Sequence, residues 1–509
     1  MKPKRGKSAG RAPKPAPRPI LLPALILAVA LIIRTTSLTT FDPLYDEKIT
    51  RDVVTGTWNG DWSNNWKGTV TNPDYRIDMY NFSSYMYADA LLAGMASKLG
   101  TRLPDGDPDF VYWSRLFSAL AGTLAVFLFY LVTRRWFSED TAIVAMALIA
   151  VIPLLVQDAH YARPEAFVLA LTGAAYLLLL RFDSEAARLR YLGYASFCFG
   201  LLIACKISLI PMAAIPVLFA GRLKDRRLLM RAAGIWAGCA LVGVFVGVPD
   251  AFFHPAAYWH GVEFLRKQYA GVTLPHASID STNSAALTTA YFWQTTGLLL
   301  VFSLAGAVLL AKARRFAVLA ATAGPVVFYL AYFANQRTFF ERNLSHVVPL
   351  MAILAALALT TIGGKIPAKA RTAVLVALVA VAAGRALWVS SRLVFVAMRT
   401  TTERRSFDGQ IRLLMRVRNR IDYVTGLATD KQLADMIQLG KIAQHDFLVR
   451  VDDFHDSFTR KHLEELERQT NWREVDYFPS LFEGFDVSTL IAYHSVSYRY
   501  LFLRVPAAR

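Results

Sequence analysis

Apolar residues run along this chain in blocks too long and too uniform for the half-buried elements of a soluble protein. The first covers 20–33, and others lie at about 113–133, 141–156, 165–180, 191–205, 207–220, 230–249, 293–311, 316–334, 347–363 and 372–390. Most approach the roughly 20 residues that a helix needs to cross a bilayer, and several fall short of it. The pattern predicts an all-α polytopic membrane protein of about eleven crossings. Between the first two blocks lies a long polar loop, 39–112, dense in Trp58, Trp62, Trp66, Tyr75, Tyr80, Tyr85 and Tyr87. Such aromatic density suits a segment lying on the membrane interface. Within it 82–99 reads as an amphipathic or re-entrant helix, because Asp89 and Lys98 interrupt its apolar run.

Both ends of the chain differ from the membrane part. Residues 1–19 are mainly Lys, Arg, Pro and Ala, a composition that builds no core and predicts a disordered basic tail. The run that follows ends at Arg34 without a small-x-small cleavage site, so 20–390 begins with an uncleaved anchor whose Arg34 snorkels to the interface. From 391 to 509 the composition becomes soluble. Helices are expected over 429–439 and 459–472 and strands over 487–493 and 498–505, giving a small C-terminal α/β domain.

Charge adds orientation. The chain holds 56 Lys and Arg against 38 Asp and Glu, a formal +18 that would suit nucleic acid. From residue 401 onward, however, 16 basic residues face 16 acidic ones, so the excess lies in the membrane part and its short loops and no nucleic-acid partner is expected. Arg134–Arg135, Arg181 with Arg188 and Arg190, Arg222 to Arg231, Lys312 with Arg314–Arg315, and Lys365 to Arg371 all fall on the side of the N-terminal tail. Under the positive-inside rule that side is cytoplasmic, which puts the loop 39–112 and the C-terminal domain outside an inner, or plasma, membrane. Cys198, Cys205 and Cys239 sit inside or beside apolar spans, so neither a disulfide framework nor a cysteine metal site is expected.

Candidate chemistry gathers on the outer side. Phe41-Asp42-Pro43-Leu44-Tyr45-Asp46-Glu47-Lys48 puts an acidic pair just beyond the first span. Next to hydrocarbon a carboxylate's pKa can rise until it serves as a base, although a membrane exit also needs polar residues for no catalytic reason. The hairpin Gln157–Phe167 holds Asp158, His160, Arg163 and Glu165. A helix cap would explain Glu165 behind Pro164, but not Asp158 and His160 as well. Lys206, between two short apolar runs, and Arg337 and Arg342, ahead of the span with Pro349, are candidate phosphate partners or simple snorkelling anchors.

These stretches together resemble the GT-C membrane glycosyltransferases, and within them the dolichyl-phosphate-mannose protein mannosyltransferases and bacterial aminoarabinose transferases. The resemblance covers roughly 20–365. It rests on the Asp46-Glu47 pair, on His160-x-x-Arg163-Pro164-Glu165, on Arg115-Leu116-x-Ser118-Ala119-Leu120-x-Gly122, and on Arg342 before the Pro349 span. It implies inverting transfer of a sugar from a polyprenyl-phosphate donor to an acceptor hydroxyl on a glycan, glycolipid or protein. Asp46 would be the general base, with Glu47 beside it and Asp158 also catalytic; His160, Arg163, Glu165, Lys206, Arg337 and Arg342 would bind substrate. Bacterial relatives carry a Lys-Pro-Pro stretch where this chain has Tyr80-Asn81-Phe82-Ser83-Ser84-Tyr85. No metal cofactor is expected, though Asp46, Glu47, Asp158 and His160 could hold a divalent cation if brought together. A transporter or flippase of a lipid-linked substrate, or a polymerase using a lipid-pyrophosphate donor, are the competing readings. A transporter would place ionisable groups nearer the bilayer midplane, where these spans are almost purely apolar.

Overall fold

The computed structural model describes residues 21–38, 45–60, 83–98, 110–184, 189–270, 284–337, 340–396 and four strands between 421 and 504. Every predicted apolar block is helical. In chain order the helices are α1 Leu21–Thr35, α2 Tyr45–Trp58, α3 Ser83–Lys98, α4 Phe110–Trp136, α5 Glu139–Val151, α6 Pro153–Asp158, α7 Glu165–Ser184 and α8 Leu189–Cys205. After a 3₁₀ segment, Ile207–Ala214, come α9 Ile215–Ala220, α10 Arg226–Gly247, α11 Asp250–Phe253, α12 Pro255–Tyr269, α13 Ser284–Thr296, α14 Leu299–Lys312 and α15 Phe316–Ala334. A second 3₁₀ turn, Glu341–Leu344, precedes α16 Val348–Gly364 and α17 Ala368–Ser391.

Five described helices, α4, α7, α10, α15 and α17, are long and apolar enough to cross a membrane, and a sixth span arises if the α13–α14 pair, bent by 101°, counts as one. The chain is therefore a multi-pass membrane protein. Four shorter apolar helical stretches accompany these spans, 21–35, 189–205, 207–220 and 348–364. Burial separates the roles of the helices. α16 is apolar all round and almost wholly enclosed, with Val348 through Ala356 buried without a break, as a central helix should be. The outer spans α10, α15 and α17 instead leave Val242, Val327 and Val376 more than half exposed, which fits surfaces turned to lipid.

Small residues bring neighbouring spans together. A methyl group at Gly200 on α8 would overlap the Ala240 carbonyl oxygen of α10, and one at Gly243 would overlap that of Phe197. Close helix approach of this kind, through glycines, is how membrane helices gain packing where no hydrophobic drive separates protein from lipid.

Two sequence expectations need correction. Arg34 does not snorkel: it is 1 % exposed and turns into the bundle. Pro153 cannot donate to Ile149, which opens the helical ladder between α5 and α6. Arg34 closes the gap, donating from Nη2 to the Ile149 oxygen at 3.2 Å and from Nη1 to the Ala150 oxygen at 2.9 Å, while Ser390 Oγ takes the Val151 oxygen at 2.7 Å. The second correction concerns Asp46 and Glu47, placed by the sequence in the long polar loop 39–112; their backbone forms the first turn of α2, where successive residues lie about 100° apart. Between the apolar blocks that end at 249 and begin at 293, the chain is helical over α11, α12 and the start of α13.

Toward the C-terminus the described strands are β1 Ile421–Val424, β2 Phe447–Asp452, β3 Trp472–Phe478 and β4 Tyr498–Arg504, in the order β1-β2-β4-β3, with β1 parallel to β2 and the other pairs antiparallel. β4 matches the expected strand over 498–505, and Trp472, expected to end a helix, opens β3. The expected helices over 429–439 and 459–471 and the strand 487–493 lie outside the described residues, as does the tail 1–19.

Candidate active site

The ends of α2, α4, α6, α7 and α8 meet the 3₁₀ turn Glu341–Leu344 around a buried set of charges. Glu47 is fully enclosed. Arg115, one turn into α4, grips it with Nε to Oε1 at 2.8 Å and Nη2 to Oε2 at 2.6 Å, and spends Nη1 on the Leu38 oxygen at 2.5 Å. Glu47 Oε1 also accepts the Ala162 amide at 2.7 Å, and Thr50 Oγ1 donates to the Ala162 oxygen at 2.9 Å. α2 is thereby pinned to the 159–164 turn by charge-assisted bonds in a fork geometry that only arginine supplies.

The hairpin is not a surface loop: 157 to 166 are all buried. Tyr161 stands between two guanidinium groups, with the Arg115 and Arg163 carbons 5.8 and 6.0 Å from its ring centroid. His160 lies with Nδ1 2.7 Å from the Val156 oxygen and Nε2 2.9 Å from the Thr36 oxygen. Burial pushes its pKa down to about 4, so the ring is neutral at pH 7 and has one N–H to donate to either carbonyl. This histidine ties the hairpin to the end of α1.

A second group of charges lies beside the first. Lys206, in the break after α8, places Nζ 3.0 Å from Glu165 Oε1 and 3.5 Å from Asn343 Oδ1, and Arg163 Nε stands 3.4 Å from Glu165 Oε2. Tyr269 at the end of α12 donates to Asn343 Oδ1 at 3.1 Å. Asp158 and Ser345 share a short hydrogen bond through Oδ2 and Oγ. Burial, reinforced by the charge of Glu165, raises the Asp158 pKa to about 8. A protonated Asp158 donates to Ser345, whose own hydrogen is then free for the Arg342 oxygen at 2.8 Å. Burial raises the Glu341 pKa as well, although Arg342 pulls the other way. His346, kept neutral by burial with its pKa lowered to about 3, packs edge-on against Tyr329. Among the buried polar atoms here with no hydrogen-bond partner among the described residues are Gln157 Oε1, Asn343 Nδ2 and His346 Nε2.

The structure thus gathers Glu47, Asp158, His160, Arg163, Glu165 and Lys206, with Arg342 near enough for its charge to act on Glu165. Arg342 is half-buried over the Phe340 ring at 4.5 Å, whereas the side chain of Arg337 is exposed and its backbone amide donates to the Tyr269 oxygen at 3.1 Å. The Asp46 side chain lies outside the described residues. Sequence reasoning missed Glu341, Asn343, Ser345 and His346, whose one signal was a polar run ahead of an apolar span; Arg115 was quoted as motif without its partner. Among the described residues no three His, Cys, Asp or Glu side chains gather as a metal site.

The sequence model of the family described as dolichyl-phosphate-mannose-protein mannosyltransferase matches residues 92–253. The structure superposes on ArnT from Cupriavidus metallidurans bound to undecaprenyl phosphate with a TM-score of 0.54 at 14 % identity, covering 96 % of this chain and 99 % of that one. The chain has the GT-C fold. Another GT-C neighbour, the apo oligosaccharyltransferase of Archaeoglobus fulgidus, gives 0.52 at 15 % identity over 73 % of this chain, and the oligosaccharyltransferase AglB from Archaeoglobus fulgidus with an inhibitory peptide and a dolichol-phosphate gives 0.50 at 16 % over 72 %. The chain spans only 55 % of the length of the archaeal enzyme. No curated protein sequence matches.

Proposed function

We propose that the chain is a glycosyltransferase that moves a sugar from a polyprenyl-phosphate donor to an acceptor hydroxyl on a glycan, glycolipid or protein. The observation that carries the proposal is the enclosed set of cations and carboxylates at one end of the spans, with Asn343 Nδ2, His346 Nε2 and Gln157 Oε1 left for a polar ligand to satisfy. The acceptor oxygen attacks the anomeric carbon, the C–O bond to phosphate breaks with its electron pair on the phosphate, and the acceptor proton passes to the Asp46 carboxylate with inversion. Glu47, clamped by Arg115 and the Ala162 amide, fixes the turn that carries Asp46. Lys206 and Arg342 meet the charge developing on the leaving phosphate. Glu47 and Glu165 already have cationic partners, so the reading uses no divalent cation; loss of turnover in chelator, restored by one metal, would reverse that point.

A transporter or flippase would need its ionisable groups near the middle of the spans, whereas Arg115, Glu165 and Lys206 lie at helix ends. We place these ends outside, with the N-terminus cytoplasmic and the region from 391 an extracytoplasmic domain that selects the acceptor. Cysteines introduced at Asp61 and Ser457 should then react with an impermeant thiol reagent in intact cells, and labelling of Arg226→Cys instead would invert the topology. Mass spectrometry of lipids that co-purify with the protein tests the donor. A monophosphate glycolipid is expected, and a pyrophosphate-linked saccharide would favour the polymerase.

A further inference from the structure

At the other end of α4 and α7 from the candidate active site, a cavity of about 460 Å³ opens between α4, α7, α9 and the start of α15. Arg115 and Arg135 are twenty residues apart on one helix, about 30 Å at 1.5 Å per residue, so the two sites lie at opposite faces of a bilayer. Four arginines line the cavity, Arg135, Arg222, Arg314 and Arg315, against one carboxylate, Asp183. Its remaining wall is apolar, with Trp136, Leu180, Leu218, Phe219, Phe316 and Val318.

Two of these arginines are held by the protein. Arg222 pairs with Asp183 at 2.7 Å, and Arg315 donates from Nη2 to the Trp136 oxygen at 2.9 Å while its guanidinium lies 4.9 Å over the Phe137 ring. Arg135 and Arg314 have no acidic partner among the described residues. Arg314 also occupies an unusual backbone position. α14 ends in a paired turn in which the Arg315 amide reaches the Leu310 oxygen and the Arg314 amide the Ala311 oxygen, both at 3.0 Å, with Arg314 itself left-handed at φ 54°. Glycine is the usual residue there, because a side chain strains this conformation. An arginine kept at such a place against its conformational cost points to a use for its charge.

We propose that this cavity binds the phosphate headgroup of an anionic phospholipid from the leaflet opposite the candidate active site, with an acyl chain along Leu218, Phe219 and Val318. The charge fits a phosphate monoanion or dianion, and the apolar wall beside it fits a lipid rather than a soluble anion. Basic pockets between spans on the inner face are a recurrent way to hold such headgroups.

The test uses the full-length protein in nanodiscs of phosphatidylcholine, with and without phosphatidylglycerol, and counts retained anionic lipid by native mass spectrometry. Wild type should retain phosphatidylglycerol saturably. Arg135→Gln/Arg314→Gly should weaken retention by about 30-fold, since each basic residue near an anionic surface contributes to binding. The glycine also relieves the turn, so this variant should melt no lower than wild type in phosphatidylcholine and keep its basal turnover. The charge-matched pair Arg227→Gln/Arg231→Gln, at the start of α10 outside the cavity, should retain lipid as wild type does. Equal loss in both variants would reduce the effect to net charge and overturn the proposal. Displacement of the lipid by millimolar inorganic phosphate, or retention unchanged in Arg135→Gln/Arg314→Gly, would overturn it as well.

Discussion

Replacing Glu47 by glutamine keeps the shape of the side chain and removes its charge. Three bonds converge on the native carboxylate, from Arg115 Nε, Arg115 Nη2 and the Ala162 amide, all within 2.8 Å. In the variant one oxygen becomes an NH₂ group that faces a guanidinium donor, and the buried Arg115 loses its counter-charge. Breaking a buried pair by removing one partner costs about 3–5 kcal/mol. That cost falls on the contact between α2 and the 159–164 turn, so it should be read where the contact is made. The Ala162 amide is buried and donates to Glu47, and its hydrogen exchange reports opening of this contact. If the whole cost appears locally, protection of Ala162 should fall by about 10²- to 10⁴-fold, at 1.4 kcal/mol per decade. Arg115→Lys, which keeps a charge but not the fork, should sit between wild type and Glu47→Gln. Peptide-resolved exchange on 155–168 in detergent is the assay. Unchanged protection in Glu47→Gln would refute the reasoning and make the ion pair incidental.

Other expectations can be checked with similar material. Arg34→Met leaves the Ile149 and Ala150 oxygens buried without a donor, at about 1–3 kcal/mol each, and thermal melting should drop accordingly. Lys206→Met removes the nearer cation from Glu165, leaving Arg163, and should lower turnover more than Lys206→Arg, which preserves the charge; equal turnover in the two would move the phosphate contact elsewhere. The Asp158 pKa of about 8 lies above its unfolded value, so the folded state holds the extra proton between the two and stability falls as pH rises from about 4 to 8. Asp158→Asn should flatten that part of the melting profile, and an identical slope in wild type and variant would contradict it.

Much of the membrane part was legible because lipid imposes a single demand, an apolar helix of a given length, and every predicted block is helical. The charges at the site were harder to read. Sequence placed Asp46, Glu47 and the hairpin on one side of the membrane, yet nothing in the linear order pairs Glu47 with Arg115 or Asp158 with Ser345, since these contacts join residues 68 and 187 positions apart. Arg34 was misread because a terminal arginine beside an apolar run has two physical outcomes, solvent or a broken helix within reach; Pro153 decides between them only in three dimensions. The isolated polar run Glu341–His346 offered no periodicity to mark it as buried.

Turnover of Asp46→Asn in proteoliposomes supplied with polyprenyl-phosphate sugar tests the proposed chemistry most directly. Wild type should release free polyprenyl phosphate and form a glycoside of inverted configuration, while Asp46→Asn binds donor normally and turns over about 10²–10⁴-fold more slowly, the usual contribution of a general base. Near-normal turnover in Asp46→Asn, together with an inactive but folded Asp158→Asn, would contradict the assignment and move the base to the hairpin.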